Sequence, residues 1–87
     1  MKEKIEKFIK DNKLDLTGSG SELNSVCTIL SGYALHLGID MVDLLNIIDG
    51  IEPAFNFAEL ERVFKFAKEA NYGDWWSKPK NRKMYKF

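Results

Sequence analysis

Residues 23 to 37, Leu23-Asn24-Ser25-Val26-Cys27-Thr28-Ile29-Leu30-Ser31-Gly32-Tyr33-Ala34-Leu35-His36-Leu37, decide how this chain folds. At about 100° per residue, Leu23, Val26, Cys27, Leu30, Tyr33, Ala34 and Leu37 share an arc about 120° wide, which marks a helix with one buried stripe. Ser25, Thr28, Gly32 and His36 lie opposite. A surface helix ordinarily carries charges there. Small, uncharged residues permit close approach of another helix, and two arrangements answer to that. Either the helix is central and wrapped by the rest of the chain, or a second copy packs on this face in a homo-oligomer. The uncharged stretch from Leu23 to Ile39 is 17 residues long, shorter than the roughly 20 apolar residues of a bilayer span, and it is broken by polar side chains, so no membrane helix is expected.

The flanks set the boundaries. Thr17-Gly18-Ser19-Gly20-Ser21-Glu22 reads as a loop entering a helix: Ser19 and Glu22 have the spacing of a capping box, with Ser21 and Asn24 as an alternative. The predicted helix covers 20–37, and Gly38 is a left-handed stop. Asp40 caps a short apolar helix over 41–49, with Gly50 and Pro53 closing it. Asn56 and Glu59 form another cap pair, opening a helix over 57–70 whose stripe is Phe57, Leu60, Val63, Phe64, Ala67 and Ala70, with Phe66 off it. Upstream, residues 2–11 form a helix with Met1, Ile5, Phe8 and Ile9 on one face and Glu3–Lys7 and Glu6–Lys10 as ion pairs on the other; Leu14 and Leu16 tuck under it. Glu61–Lys65 pairs likewise. Residues 74–87 read as irregular. The expected fold is all-α: one compact domain, 1–87, of about four helices with an irregular, aromatic and basic C-terminal tail.

Catalytic chemistry is not assembled in the sequence. The single cysteine and single histidine are nine positions apart on one helix, on opposite faces and about 13.5 Å apart along the axis, which excludes a Cys–His pair. Cys27 belongs to the apolar arc, and His36 has no second histidine to complete a metal site. Asp40 and Asp43 stand where a helix start favours acids, which accounts for them without a metal. No enzymatic activity, metal or cofactor is expected. A lone cysteine and an N-terminus without the apolar core of a signal peptide make the expected location cytoplasmic.

Charge is segregated along the chain. From Leu14 to Glu61 there is no lysine or arginine and there are eight acids, whereas the segments before and after carry +2 and +6, so the zero net charge is a cancellation. Like charges on one small body repel, so either the basic ends fold back over the acidic middle or one surface is made for a partner. Asp40, Asp43, Asp49, Glu52 and Glu59 are the candidate residues for binding a basic protein by imitating nucleic acid. The tail is the other candidate: Trp75 and Trp76 precede Lys80, Arg82 and Lys83, and cations beside rings suit phosphates and stacked bases. With the loop amides near Ser19 and Ser21, these residues make a candidate site for a nucleotide or small anion, or for nucleic acid. Docking of the aromatics onto the core is the competing reading.

The lysine-rich opening helix, the Gly18-Ser19-Gly20-Ser21-Glu22-Leu23-Asn24 turn, and Asn71-Tyr72-Gly73-Asp74-Trp75-Trp76 followed by Met84-Tyr85-Lys86-Phe87 resemble small accessory proteins of tailed bacteriophages. The likeness is one of general character and carries no functional residue over. It implies a compact, non-enzymatic protein in the host cytoplasm that binds a host protein and inhibits or redirects it, defence components among the targets.

Overall fold

A computed structural model describes residues 1–86 as a set of helices around one central rod. The elements are α1 (Lys2–Asp11), α2 (Gly20–Leu37), α3 (Met41–Ile51), α4 (Phe57–Glu69), α5 (Tyr72–Ser77) and α6 (Pro79–Arg82). The protein is all-α, with no strand among the described residues. No helix among them is long and apolar enough to cross a membrane.

The rod is α2. It has its most extensive contacts with α4 and then with α5, while α3 packs on α4 and, more lightly, on α1. Cys27, Leu30 and Ala34 of α2 are completely buried, as are Leu44, Ile48, Leu60, Ala67 and Ile5. Each such aliphatic side chain removed from water contributes about 1.5–3 kcal/mol, and in so small a domain these few residues carry the fold.

Local signals explain the helix ends. Gly38 takes φ 79°, and its amide and that of Ile39 turn back to Leu35 and Ala34, closing α2. Asp40 accepts a hydrogen bond from the Asp43 amide at 2.9 Å, and Asn56 accepts one from the Glu59 amide at 3.1 Å, so both expected caps form. The capping box at Ser19 does not: its side chain makes no cap hydrogen bond. Lys13 and Asn71 adopt positive φ after α1 and α4, where the chain must turn sharply.

Several expectations are corrected. Residues 74–82 are not irregular, whereas 83–86 are: Asn71 in the left-handed region breaks α4 from α5, and Pro79, with its preset φ, opens α6, which ends at Arg82. The last expected tail position, Phe87, lies outside the described residues. Met1 is 56% exposed and does not extend the apolar stripe of α1, since nothing packs beyond the first turn. Ala70 is exposed because α4 has ended by Glu69. α3 runs two residues further than expected, through Gly50 to Ile51. On α1 the ion pairs are Lys2–Glu6 and Lys7–Asp11 instead of Glu3–Lys7 and Glu6–Lys10, because Asp11 lies within Lys7's reach at 2.7 Å. Glu61–Lys65 forms at 3.3 Å.

Candidate functional site

The acidic residues sort by what each touches. α3 buries Leu44 and Ile48 and turns Val42, Asp43, Asn46, Asp49 and Gly50 outward. Asp43 and Asp49 have no ion-pair partner among the described residues, and Val42 beside them is 61% exposed. Asp40 is exposed as the N-cap and borders a shallow groove that Lys65 and Lys68 of α4 also line. Glu52 is half-buried at the end of α3. Glu59 is drawn away from this group: its carboxylate lies 2.6 Å from the Arg62 guanidinium and acts on the buried Cys27 thiol. The outward face of α3 is therefore acidic at both ends and apolar at Val42. Basic side chains border it at both ends: Lys65 and Lys68 of α4 line the groove with Asp40 and Val42, and Lys2 of α1 reaches Gly50, where a Cβ would stand 3.9 Å from its Nζ.

The tail residues divide. Trp76 is 3% exposed, enclosed by Phe8 at 5.6 Å, Tyr33 at 5.5 Å and Tyr85 at 4.8 Å between ring centroids. Phe8 and Tyr33 stack at 4.1 Å beneath it. Trp75, 39% exposed, meets Trp76 edge-on at 5.3 Å. The two tryptophans therefore cannot sandwich a base, and only Trp75 offers an open face. Lys80 and Lys83 are exposed, while Arg82 is half-buried against the body of the protein. Ser19 and Ser21 are exposed at the start of α2, and no hydrogen bond or ion pair among the described residues joins them to the tail.

Docking of the tail explains the uncharged side of α2. Gly32 is buried, and a Cβ there would stand 2.5 Å from Trp76 Nε1. Gly73 of α5 is the reciprocal notch, where a Cβ would lie 3.2 Å from Leu35 Cβ and 3.3 Å from its carbonyl carbon. The close approach that small residues permit is thus made by the chain's own α5, and Gly32 is closed to a second copy. Ser25 remains exposed, Thr28 is half-buried and donates to the Asn24 carbonyl at 2.8 Å, and His36 is half-buried.

Where α5 meets α2, a concavity of about 280 Å3 opens, lined by Thr28, Ile29, Tyr72, Trp75, Trp76 and Tyr85. Tyr72 and Ile29 were not singled out from the sequence as site residues, and Tyr85 stood out only as an aromatic among the basic residues of the tail. The pair of glycines, one on each helix, is the signal that could have brought them in. The Thr28 hydroxyl already donates within α2, and the rest of the lining is aromatic or aliphatic, with no charged side chain. The cleft suits a flat apolar group better than a charged one.

Cys27 is inert by environment. Burial pushes its thiol from the usual 9.0 up to about 11, with Glu59 acting in the same direction and Arg62 opposing. Burial likewise raises the Tyr33 phenol, against the pull of Lys7. Comparison with known proteins finds no matching family model, curated sequence or solved structure, so the reading of function rests on these geometries.

Proposed function

We propose that this chain is a non-enzymatic binding protein that engages a basic partner protein through the outward face of α3. The observation that carries the reading is that Asp43 and Asp49 stand exposed on one arc beside exposed Val42, with no ion-pair partner among the described residues. Uncompensated charge of one sign speeds encounter with an oppositely charged partner at a rate that falls with salt, and an apolar side chain within it gives the complex a dry contact. In the phage-type setting that the resemblance implies, the partner is a host protein and the outcome is its inhibition or redirection.

The test is retention from host lysate on immobilised protein at low and high salt, run beside an Asp43→Lys, Asp49→Lys double variant. Both positions are exposed, and the cation placed unfavourably in the first turn of α3 at 43 is offset by the one placed favourably near its last turn at 49, each about 0.3–1 kcal/mol, so the variant keeps its helical circular dichroism. The reading expects a basic protein held at low salt by the wild type, released at high salt and lost from the variant. Equal retention by the two proteins would remove α3 as the binding face.

A further inference from the structure

A second concavity lies where α1, α2 and α6 meet, away from the α3 face. Lys4, Lys7, Phe8, Tyr33, His36 and Arg82 line about 400 Å3 of space, within the usual size of a small-ligand site. No carboxylate belongs to the lining. Lys7 is shared with Asp11 at 2.7 Å, but Lys4 and Arg82 make no ion pair among the described residues. Moreover, Arg82 Nε is closed off from solvent and donates no hydrogen bond among them. The enclosed Nε leaves the guanidinium partly unsatisfied, while its two terminal nitrogens are not enclosed in this way, and such a planar fork matches an oxyanion.

The tail holds Arg82 in that place. Asn81 Nδ2 donates to the Trp75 carbonyl at 2.8 Å, and the amide of Arg82 bonds back to Lys78 at 3.3 Å, so α6 is fastened to α5. Tyr85, three residues on, packs against Trp76 and Phe8. An arginine from the far end of the chain thereby meets two lysines of the first helix and a histidine of the second.

We propose that this cavity binds a small phosphomonoester. Arg82 and Lys4 hold the phosphate, Lys7 and His36 border it, and the apolar part of the ligand lies against Tyr33. Lys4 and Arg82, two cations outside any ion pair among the described residues, suit a dianion better than a carboxylate. The site shares no residue with the α3 face, so either proposal stands if the other fails.

The probe is phenyl phosphate, titrated into the full chain at low salt and followed by the Arg82 Nε–H and His36 ring signals in NMR, with phenol as the uncharged counterpart. Saturable shifts are expected with phenyl phosphate and not with phenol. Lys4→Gln, on an exposed helical position that leaves the fold intact, weakens the affinity by about tenfold, as does Arg82→Gln, the loss expected of one charge-assisted hydrogen bond. Lys83→Gln, which removes the same charge one residue away but outside the cavity, leaves it unchanged. Absence of saturation, phenol shifting the same signals equally, or Lys83→Gln weakening binding as much as Lys4→Gln would each overturn the assignment.

Discussion

The side-chain amide of Asn12 pairs with the backbone of Lys86 as one strand pairs with another. Nδ2 donates to the Lys86 carbonyl at 2.8 Å, and Oδ1 accepts from the Lys86 amide at 2.8 Å. Nδ2 also reaches the Phe8 carbonyl at 2.9 Å, so one carboxamide ties the end of α1 to the end of the chain. Asn12→Ala is expected to lower stability by about 1–2 kcal/mol, because several modest hydrogen bonds go together. Asn12→Asp keeps the acceptor, loses the donor and falls between. Amide hydrogen exchange at Lys86 reports it directly. Unchanged protection of that amide in Asn12→Ala would mean that the tail is held by its rings alone.

Gly32 is the seat of the Trp76 indole, and a methyl group there collides with a ring that is itself enclosed. Helix propensity alone would make Gly32→Ala stabilising by about 1 kcal/mol. Overpacking costs about 1–3 kcal/mol and outweighs it, since the atoms met at 2.5 and 2.9 Å belong to a rigid indole packed on Phe8, Tyr33 and Tyr85. The expected net loss is up to about 2 kcal/mol, a fall in Tm of up to about 16 °C for a domain of this size. A thermal melt showing a gain would place Trp76 elsewhere.

The adjacent tryptophans differ in consequence. Trp76→Ala empties the centre of the aromatic cluster and is expected to cost about 3–5 kcal/mol, which leaves a small domain close to unfolding. Trp75→Ala removes a ring that is 39% exposed and costs far less. Urea midpoints of the two variants, compared with the wild type, test the distinction; equal midpoints would contradict the burial assigned to Trp76.

Alkaline pH should weaken the fold through Cys27. In the unfolded chain the thiol ionises near 9.0, but in the native protein it holds its proton to about 11. Between those values the unfolded state binds fewer protons than the native one, so stability is flat below pH 9 and falls above it, by at most about 1.4 kcal/mol per pH unit. The raised Tyr33 phenol adds to the decline at still higher pH. Cys27→Ala removes the first component, and its urea midpoint should decline more gently between pH 9 and 11 than that of the wild type. Parallel slopes would show that the native thiol titrates normally.

The α2 arc, the Gly38 stop and the caps at Asp40 and Asn56 were legible in the sequence because each depends on residues within a few positions of one another. The same holds for the all-α class and for the acids of α3, whose outward direction follows from helical period once Leu44 and Ile48 face inward. Helical α5 and α6 were not legible. Each is too short to show a period, and both are stabilised by packing, α5 onto α2 and α6 onto α5, rather than by their own propensity.

The fate of the small residues on α2 shows where local reasoning stops. Ser25, Thr28, Gly32 and His36 announce that something approaches closely, but spacing cannot say whether it belongs to the same chain. Trp76 and Gly73 answer that, from a segment more than 40 positions away. The gathering of Lys4, Lys7, His36 and Arg82 has the same origin. Period and capping act along the chain, so the sequence determined α1 to α4 and the side each one buries. Which distant side chains share a cavity depends on how those helices dock, and that was decided by the burial of Trp76 among Phe8, Tyr33 and Tyr85.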